Sequence, residues 1–196
     1  TNIVFVGRIV PNKKFEDVIA CFAAYKEKYD PTARLFLVGN YQETDTYYQY
    51  LQEYIKKCGV KDVIFPGHIA FNAILAYYKI ADLFLCMSEH EGFCVPLVEA
   101  MFFETPIVAY ASTAIPGTLG GSGVLVETKE PEMVAEAMNH VMQDAEYRSE
   151  ILKKQNERLK DFAYESIRGQ ILDEIEKVQQ SKIDKVRNQN GEEKTD

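Results

Sequence analysis

The sequence lacks any excess of positive charge. Its 22 Lys and Arg residues are outnumbered by 30 Asp and Glu, for a formal net charge of −8. That argues against a nucleic-acid polymer as partner, because a phosphate backbone requires a basic face. A single nucleotide stays open, since it needs only a few local cations. No apolar run approaches the ~20 residues that span a bilayer, and no signal-peptide pattern is present. The four cysteines, Cys21, Cys58, Cys86 and Cys94, form no C-x-x-C pair. Neither a zinc site nor a disulfide framework is indicated, which favours a reducing, cytoplasmic setting. The loop after the first strand has no G-x-G-x-x-G, and no G-x-x-x-x-G-K-[ST] occurs anywhere, which disfavours a dinucleotide cofactor and a P-loop. An Asp-x-Asp pair for a metal-bound diphosphate is also missing. The chain opens at Thr1 on a core-strand pattern with no start methionine or leader, so it is expected to be a piece of a longer protein.

What is present is ordinary for a globular chain: 196 residues, 46% apolar and 27% charged. This length suits one domain with a substantial core, since domains are commonly ~100–150 residues and can reach ~250. Continuous apolar runs at residues 3–6, 34–38, 63–65, 82–87, 106–110 and 124–126 predict six strands buried on both faces. Helical spacing between them predicts amphipathic helices near 15–23, 47–58, 74–81, from Pro96 onward, and over 131–143, 146–162 and 166–178. Alternating strands and helices predict right-handed βαβ units and a doubly wound, six-stranded parallel sheet. The domain is expected to cover residues 1–180, with a disordered polar tail over 181–196.

If the strand order is 3-2-1-4-5-6, strands 1 and 4 meet at the topological switch point, where such sheets bind ligands. Strand 1 ends in Gly7-Arg8-Ile9-Val10-Pro11-Asn12-Lys13-Lys14, a loop with three cations. Strand 4 ends in Glu89-His90-Glu91-Gly92-Phe93-Cys94-Val95-Pro96, then a helix with Glu99 about one turn in. Pro96 suits the first helical turn, while Cys94 and Val95 are poor caps. The free N–H groups of Val95, Leu97 and Val98 can therefore hold an anion, aided by the helix dipole. An anion at the centre, with carboxylates on either side to meet hydroxyls, suits a nucleotide sugar.

These segments resemble a known family. Residues 7–13 look like the G-R-x-x-P-x-K segment of retaining GT-B-fold glycosyltransferases, the family that includes sucrose synthase and many bacterial mannosyl- and glucosyltransferases. Glu91 to Glu99 is similar to its E-x7-E motif, with Gly92, Phe93 and Pro96 in their usual places. The Phe65-Pro66-Gly67-His68-Ile69 turn and the loop over 109–120 also fit. The resemblance covers residues 1–180, the C-terminal, donor-binding half of such enzymes. It implies a Rossmann-like fold and a metal-independent, cofactor-free transfer of a hexose from a nucleotide diphosphate sugar to a polysaccharide or glycolipid. Gly7 would take part in substrate binding; of the residues implied to be catalytic, Arg8 and Lys13 would bind the donor diphosphate and stabilise it on departure, and Glu91 would bind the sugar hydroxyls with Gly92 and Phe93. Cys94 and Val95 would cradle phosphate through their amides. Glu99 would accept bonds from ribose, and His68 and Ile69 would meet the base by backbone. The acceptor site would lie on an N-terminal domain absent from this chain, which alone should transfer no sugar. That domain also allows peripheral association with the cytoplasmic face of a membrane.

Three positions depart from the family pattern. Lys14 and Cys94 stand where glycine is usual, a side chain at Cys94 being expected to narrow the pocket, and Gly117 stands where glutamate is frequent. Two other readings of the same residues are a GT-B-type nucleotide-sugar epimerase domain and a non-catalytic nucleotide-binding module.

Overall fold

The computed structural model describes the backbone of residues 1–192 and the side chains of residues 1–181 other than Phe71. Six strands form one all-parallel sheet: β1 (Asn2–Val6), β2 (Arg34–Val38), β3 (Val63–Ile64), β4 (Leu83–Cys86), β5 (Ile107–Tyr110) and β6 (Val124–Val126). Their order is β3-β2-β1-β4-β5-β6, as the sequence predicts. The central strands are apolar without alternation because helices cover both faces. Ile3 and Val4 pair with Leu83 and Phe84 across the switch point, and all four are fully buried.

The helices are α1 (Phe15–Lys28), α2 (Thr46–Cys58), α3 (Phe71–Ile80), α4 (Val95–Phe102), α5 (Ile115–Leu119), α6 (Pro131–Gln143), α7 (Ala145–Leu159) and α8 (Tyr164–Glu192). One face of α1, with Phe15, Val18, Ile19 and Phe22, is fully buried, and α1 packs against both α6 and α2. Helix α2 ends on Gly59 in the left-handed region at φ 64°, a conformation that glycine adopts without a Cβ penalty. At Gly39 the requirement is space: a Cβ there would lie 1.9 Å from the Gly7 carbonyl oxygen. Only glycine lets the loops after β1 and β2 come so close. The contact is secured by hydrogen bonds from Gly7 N–H to the Val38 carbonyl (2.9 Å) and from Ile9 N–H to the Asn40 carbonyl (3.3 Å).

Three features differ from the sequence-based expectation. The loop over 109–120 contains the short helix α5, which Pro116 and Gly117 disguise as a turn. The chain also divides into two compact units, Thr1–Arg158 and Leu159–Asp196, rather than one domain to residue 180. In the second unit α8 presents Ile167, Ile171, Leu172, Ile175 and Val178 exposed; its spacing is helical, but spacing does not say what covers an apolar face. Helix α8 runs through Glu192, past Ser181 where a disordered tail is expected. Gln, Lys, Asp and Arg in this stretch are acceptable helix residues, and polarity alone does not stop a helix already begun. Residues 193–196 of the expected tail lie outside the described residues. Among the described residues no helix is long and apolar enough to cross a membrane.

Candidate functional site

The site forms where the loops after β1 and β4 meet at the carboxyl end of the sheet. Pro11–Lys13 is a single 3-10 turn. Two hydrogen bonds from Asn12 tie it to the other loop: its carbonyl accepts from Glu89 N–H (3.0 Å) and its amide donates to the His90 carbonyl (3.1 Å). With the loops so joined, the Lys13 ammonium reaches Glu91 and spans both carboxylate oxygens, at 2.5 and 2.6 Å. These partners lie 78 positions apart in the chain. The Glu91 side chain is 6% exposed and that of Lys13 17%, so each charge needs the other.

Glu91 is fixed from a third direction as well. Its backbone N–H donates to the Thr113 hydroxyl (2.9 Å), which in turn donates to the Glu91 carbonyl (3.1 Å). Thr113 holds this position with φ at 41°. Nearby, the Ser112 hydroxyl donates to the Ser88 carbonyl (2.5 Å) and the Thr118 hydroxyl to the Phe93 carbonyl (2.5 Å). The loop between β5 and α5, together with α5, thus braces the whole Ser88–Phe93 segment.

Helix α4 starts without a side-chain cap, on Cys94 in the left-handed region (φ 65°, ψ 64°). Leu97 N–H turns back to the Cys94 carbonyl (3.0 Å), which removes one of the three amides expected to be free for an anion. Val95 and Phe93 are 55% and 44% exposed, and a Cβ added to Gly92 would meet nothing within 4 Å. The opening before α4 is therefore accessible. The Cys94 side chain, by contrast, is 5% exposed. It points inward beside Cys86 and does not narrow the opening as the sequence suggested. Its hydrogen bond with Cys86 and its burial push the Cys94 thiol up.

Glu99, one turn into α4, is half-buried and accepts a hydrogen bond from the Tyr78 hydroxyl (2.7 Å). Tyr78 is 1% exposed and stacks on Phe103. Burial, then the Glu99 carboxylate, hold its phenol protonated well above the usual range. It is accordingly a fixed donor that leaves the rest of the Glu99 carboxylate for another partner.

Arg8 is exposed and makes no ion pair among the described residues. Gly7 ends β1 beside the Lys13 stem, whose carbons would lie 3.8 Å from an added Cβ. His68 is exposed, with its Nδ1 2.8 Å from Asn40 Oδ1, and Ile69 is half-buried. Both sit after β3, held through Asn40 to the loop after β2. The remaining surface is charged: Lys14 pairs with Glu89 (3.3 Å) and Glu16 (3.7 Å), and Lys129 with Asp17 and Glu89 (both 2.7 Å).

Sequence reasoning missed Asn12, Thr113, Tyr78 and Cys86. Asn12 lies inside a motif but at one of its variable positions. Nothing in a run of apolar residues distinguishes Tyr78 or Cys86, and Thr113 acts through a backbone conformation that threonine does not advertise. Lys13 was expected to serve the diphosphate beside Arg8; in the structure its ammonium is engaged by Glu91.

Comparison with known proteins identifies the family and the fold. Mannosylfructose-phosphate synthase of Agrobacterium fabrum is 33% identical over 111 residues, 54% of this chain and 24% of that protein. N-acetyl-alpha-D-glucosaminyl L-malate synthase of Bacillus anthracis is 28% identical over 86% of this chain and 42% of that protein. The chain thus spans less than half the length of either relative. Among solved structures, the C-terminal domain of a group 1 glycosyl transferase (LpcC) from Francisella tularensis superposes with a TM-score of 0.70 at 27% identity, covering 81% of this chain and 84% of that one. Anabaena HepE, solved with UDP and glucose, shares the fold with a TM-score of 0.76 at 23% identity, over 90% of this chain and 48% of that one. The family model described as "Glycosyl transferases group 1" matches residues 1–159. The chain belongs to this family of enzymes, with the Rossmann-like fold of a GT-B C-terminal domain.

Proposed function

We propose that this chain is the donor half of a retaining, metal-independent glycosyltransferase that moves a hexose of the mannosyl or glucosyl type from a nucleotide diphosphate sugar to a polysaccharide or glycolipid acceptor. The observation that carries this reading is the Lys13–Glu91 pair: two motif segments, distant in the chain, share one half-open crevice. A carboxylate held there can orient sugar hydroxyls. Arg8 and Lys13 with the amides before α4 compensate the charge that develops on a departing diphosphate, a task that does not demand a divalent ion. Glu99 accepts from Tyr78 through one oxygen and offers the other to the ribose hydroxyls. The UDP and glucose in the related HepE structure support a nucleotide sugar as the ligand class. No organic cofactor enters the scheme.

An acceptor site on a further, N-terminal domain accounts for the partial coverage of the longer relatives. The chain alone then binds nucleotide diphosphates weakly and transfers nothing. Ligand-observed NMR with UDP, GDP and ADP tests this. One of the three binds; Arg8→Ala weakens the diphosphate more than the matching monophosphate, and Glu99→Ala weakens the ribose-bearing ligands. Binding of none, or equal loss of mono- and diphosphate in Arg8→Ala, would reject the proposal.

A further inference from the structure

Cys86, at the end of β4, and Cys94, at the start of α4, are separated by seven residues, a spacing with no metal signature. The fold nevertheless brings them together with Glu91: the two thiol sulfurs and one carboxylate oxygen all lie within 4.8 Å of one another. All three residues are buried, at 0%, 5% and 7% exposure. Tetrahedral zinc with Zn–S near ~2.3 Å sets its sulfurs about 3.8 Å apart, so the ligands need close by no more than about 1 Å. Gly92 and Phe93, which lie between Glu91 and Cys94 in the chain, are exposed.

We propose that Cys86, Cys94 and Glu91 bind a thiophilic divalent cation of the zinc and cadmium class, with water as the fourth ligand. On binding, both S–H bonds lose their protons to solvent, and two thiolates and one carboxylate bond to the metal. The formal charge of the metal with these ligands is −1; the Lys13 ammonium, which spans both Glu91 oxygens in the structure, gives up one to the metal, keeps the other and brings the charge to zero. Two thiols this close could also form a disulfide, so the test is made on the reduced chain. On the donor reading given above, the metal holds Glu91 away from the sugar, so the site is inhibitory.

Cadmium titration of the phosphine-reduced 196-residue chain tests this through sulfur-to-metal charge-transfer absorbance. The band saturates at one equivalent. It is lost in Cys86→Ala and in Cys94→Gly, and stays in Cys21→Ala and Cys58→Ala. Glu91→Gln weakens binding by about tenfold or more. Cys94→Gly is the safeguard against misfolding, because glycine accepts the left-handed backbone there, and circular dichroism confirms its fold. No band in the reduced wild type, or a band retained in either Cys86→Ala or Cys94→Gly, overturns the site. UDP titrations with and without cadmium separate the two proposals: if cadmium binds but UDP never does, the metal site stands and the donor reading falls.

Discussion

Helices α1 and α4 both open onto the crevice, and both begin in the same unusual way. Lys14 (φ 51°, ψ 52°) and Cys94 (φ 65°, ψ 64°) are their N-caps; both are left-handed, and neither offers a side-chain cap. A left-handed non-glycine residue costs roughly 1–2 kcal/mol, so each must be held by something else. Lys14 is held at the surface, by Glu89 and Glu16, and Cys94 in the core, against Cys86. The same backbone turn is thus retained by ion pairing on one side and by packing on the other.

The largest expected effect joins the two sides. Lys13 precedes Lys14 in the first loop, but its ammonium is committed to Glu91 in the second. Lys13→Met leaves the Glu91 carboxylate buried without its partner. Breaking a buried pair from one side costs roughly 3 kcal/mol or more, and the slight exposure of Lys13 places this case near the lower figure. Urea unfolding measures it. A loss below about 1 kcal/mol would mean that the two helix starts are independent and that their likeness is local geometry only.

Replacement by glycine is the sharper test of the comparison. Lys14→Gly relieves the left-handed strain and gives up only surface ion pairs, each worth roughly 0.2–1 kcal/mol. After the extra chain entropy of glycine, the change is neutral to stabilising by about 1 kcal/mol. Cys94→Gly gains the same relief but empties a buried site, and cavity terms of roughly 1 kcal/mol or more oppose it. It should therefore be neutral to destabilising. Equal shifts of the melting temperature in the two variants would remove the distinction between surface and core anchoring.

Much of this arrangement is legible in the sequence because strand order and loop placement follow from patterns of apolar residues. Runs such as Leu83–Cys86 and Ile107–Tyr110 announce buried parallel strands, and right-handed crossovers then bring Arg8 and Glu91 to one end of the sheet. What the pattern does not carry is who partners whom. Lys13 and Glu91 are visible as residue types, yet their mutual ion pair depends on Asn12 latching the loops within a fraction of a turn. Positions 14 and 94 read as departures from glycine, although the conformation that favours glycine persists in both. Cys86 and Cys94 were dismissed on spacing, because a list of spacings has no term for a strand end folding back on the following helix. Helix α5 is hidden by Pro116 and Gly117, which signal turns even where a short helix accommodates them.

The smallest effect concerns the ion pairs around Lys14, and it is read by pH. Hydrogen bonding from Lys129, reinforced by that from Lys14, holds the Glu89 carboxyl below the usual carboxylate range. A carboxyl lowered on folding contributes stability that is present above its unfolded value, about 4.3, and is lost as pH falls through the lower folded value. Glu89 is half exposed, at 49% for the side chain, so solvent screens most of the interaction. Glu89→Gln should therefore barely alter the melting temperature at pH 7 and should slightly flatten its fall between pH 5 and pH 3. High salt should erase this difference between the variant and the parent chain, because exposed pairs are screened, and should leave the more buried Lys13–Glu91 pair much less affected. A Glu89 effect that survived 1 M salt would place the anchoring of α1 in the core after all, making the two helix starts alike in mechanism as well as in shape.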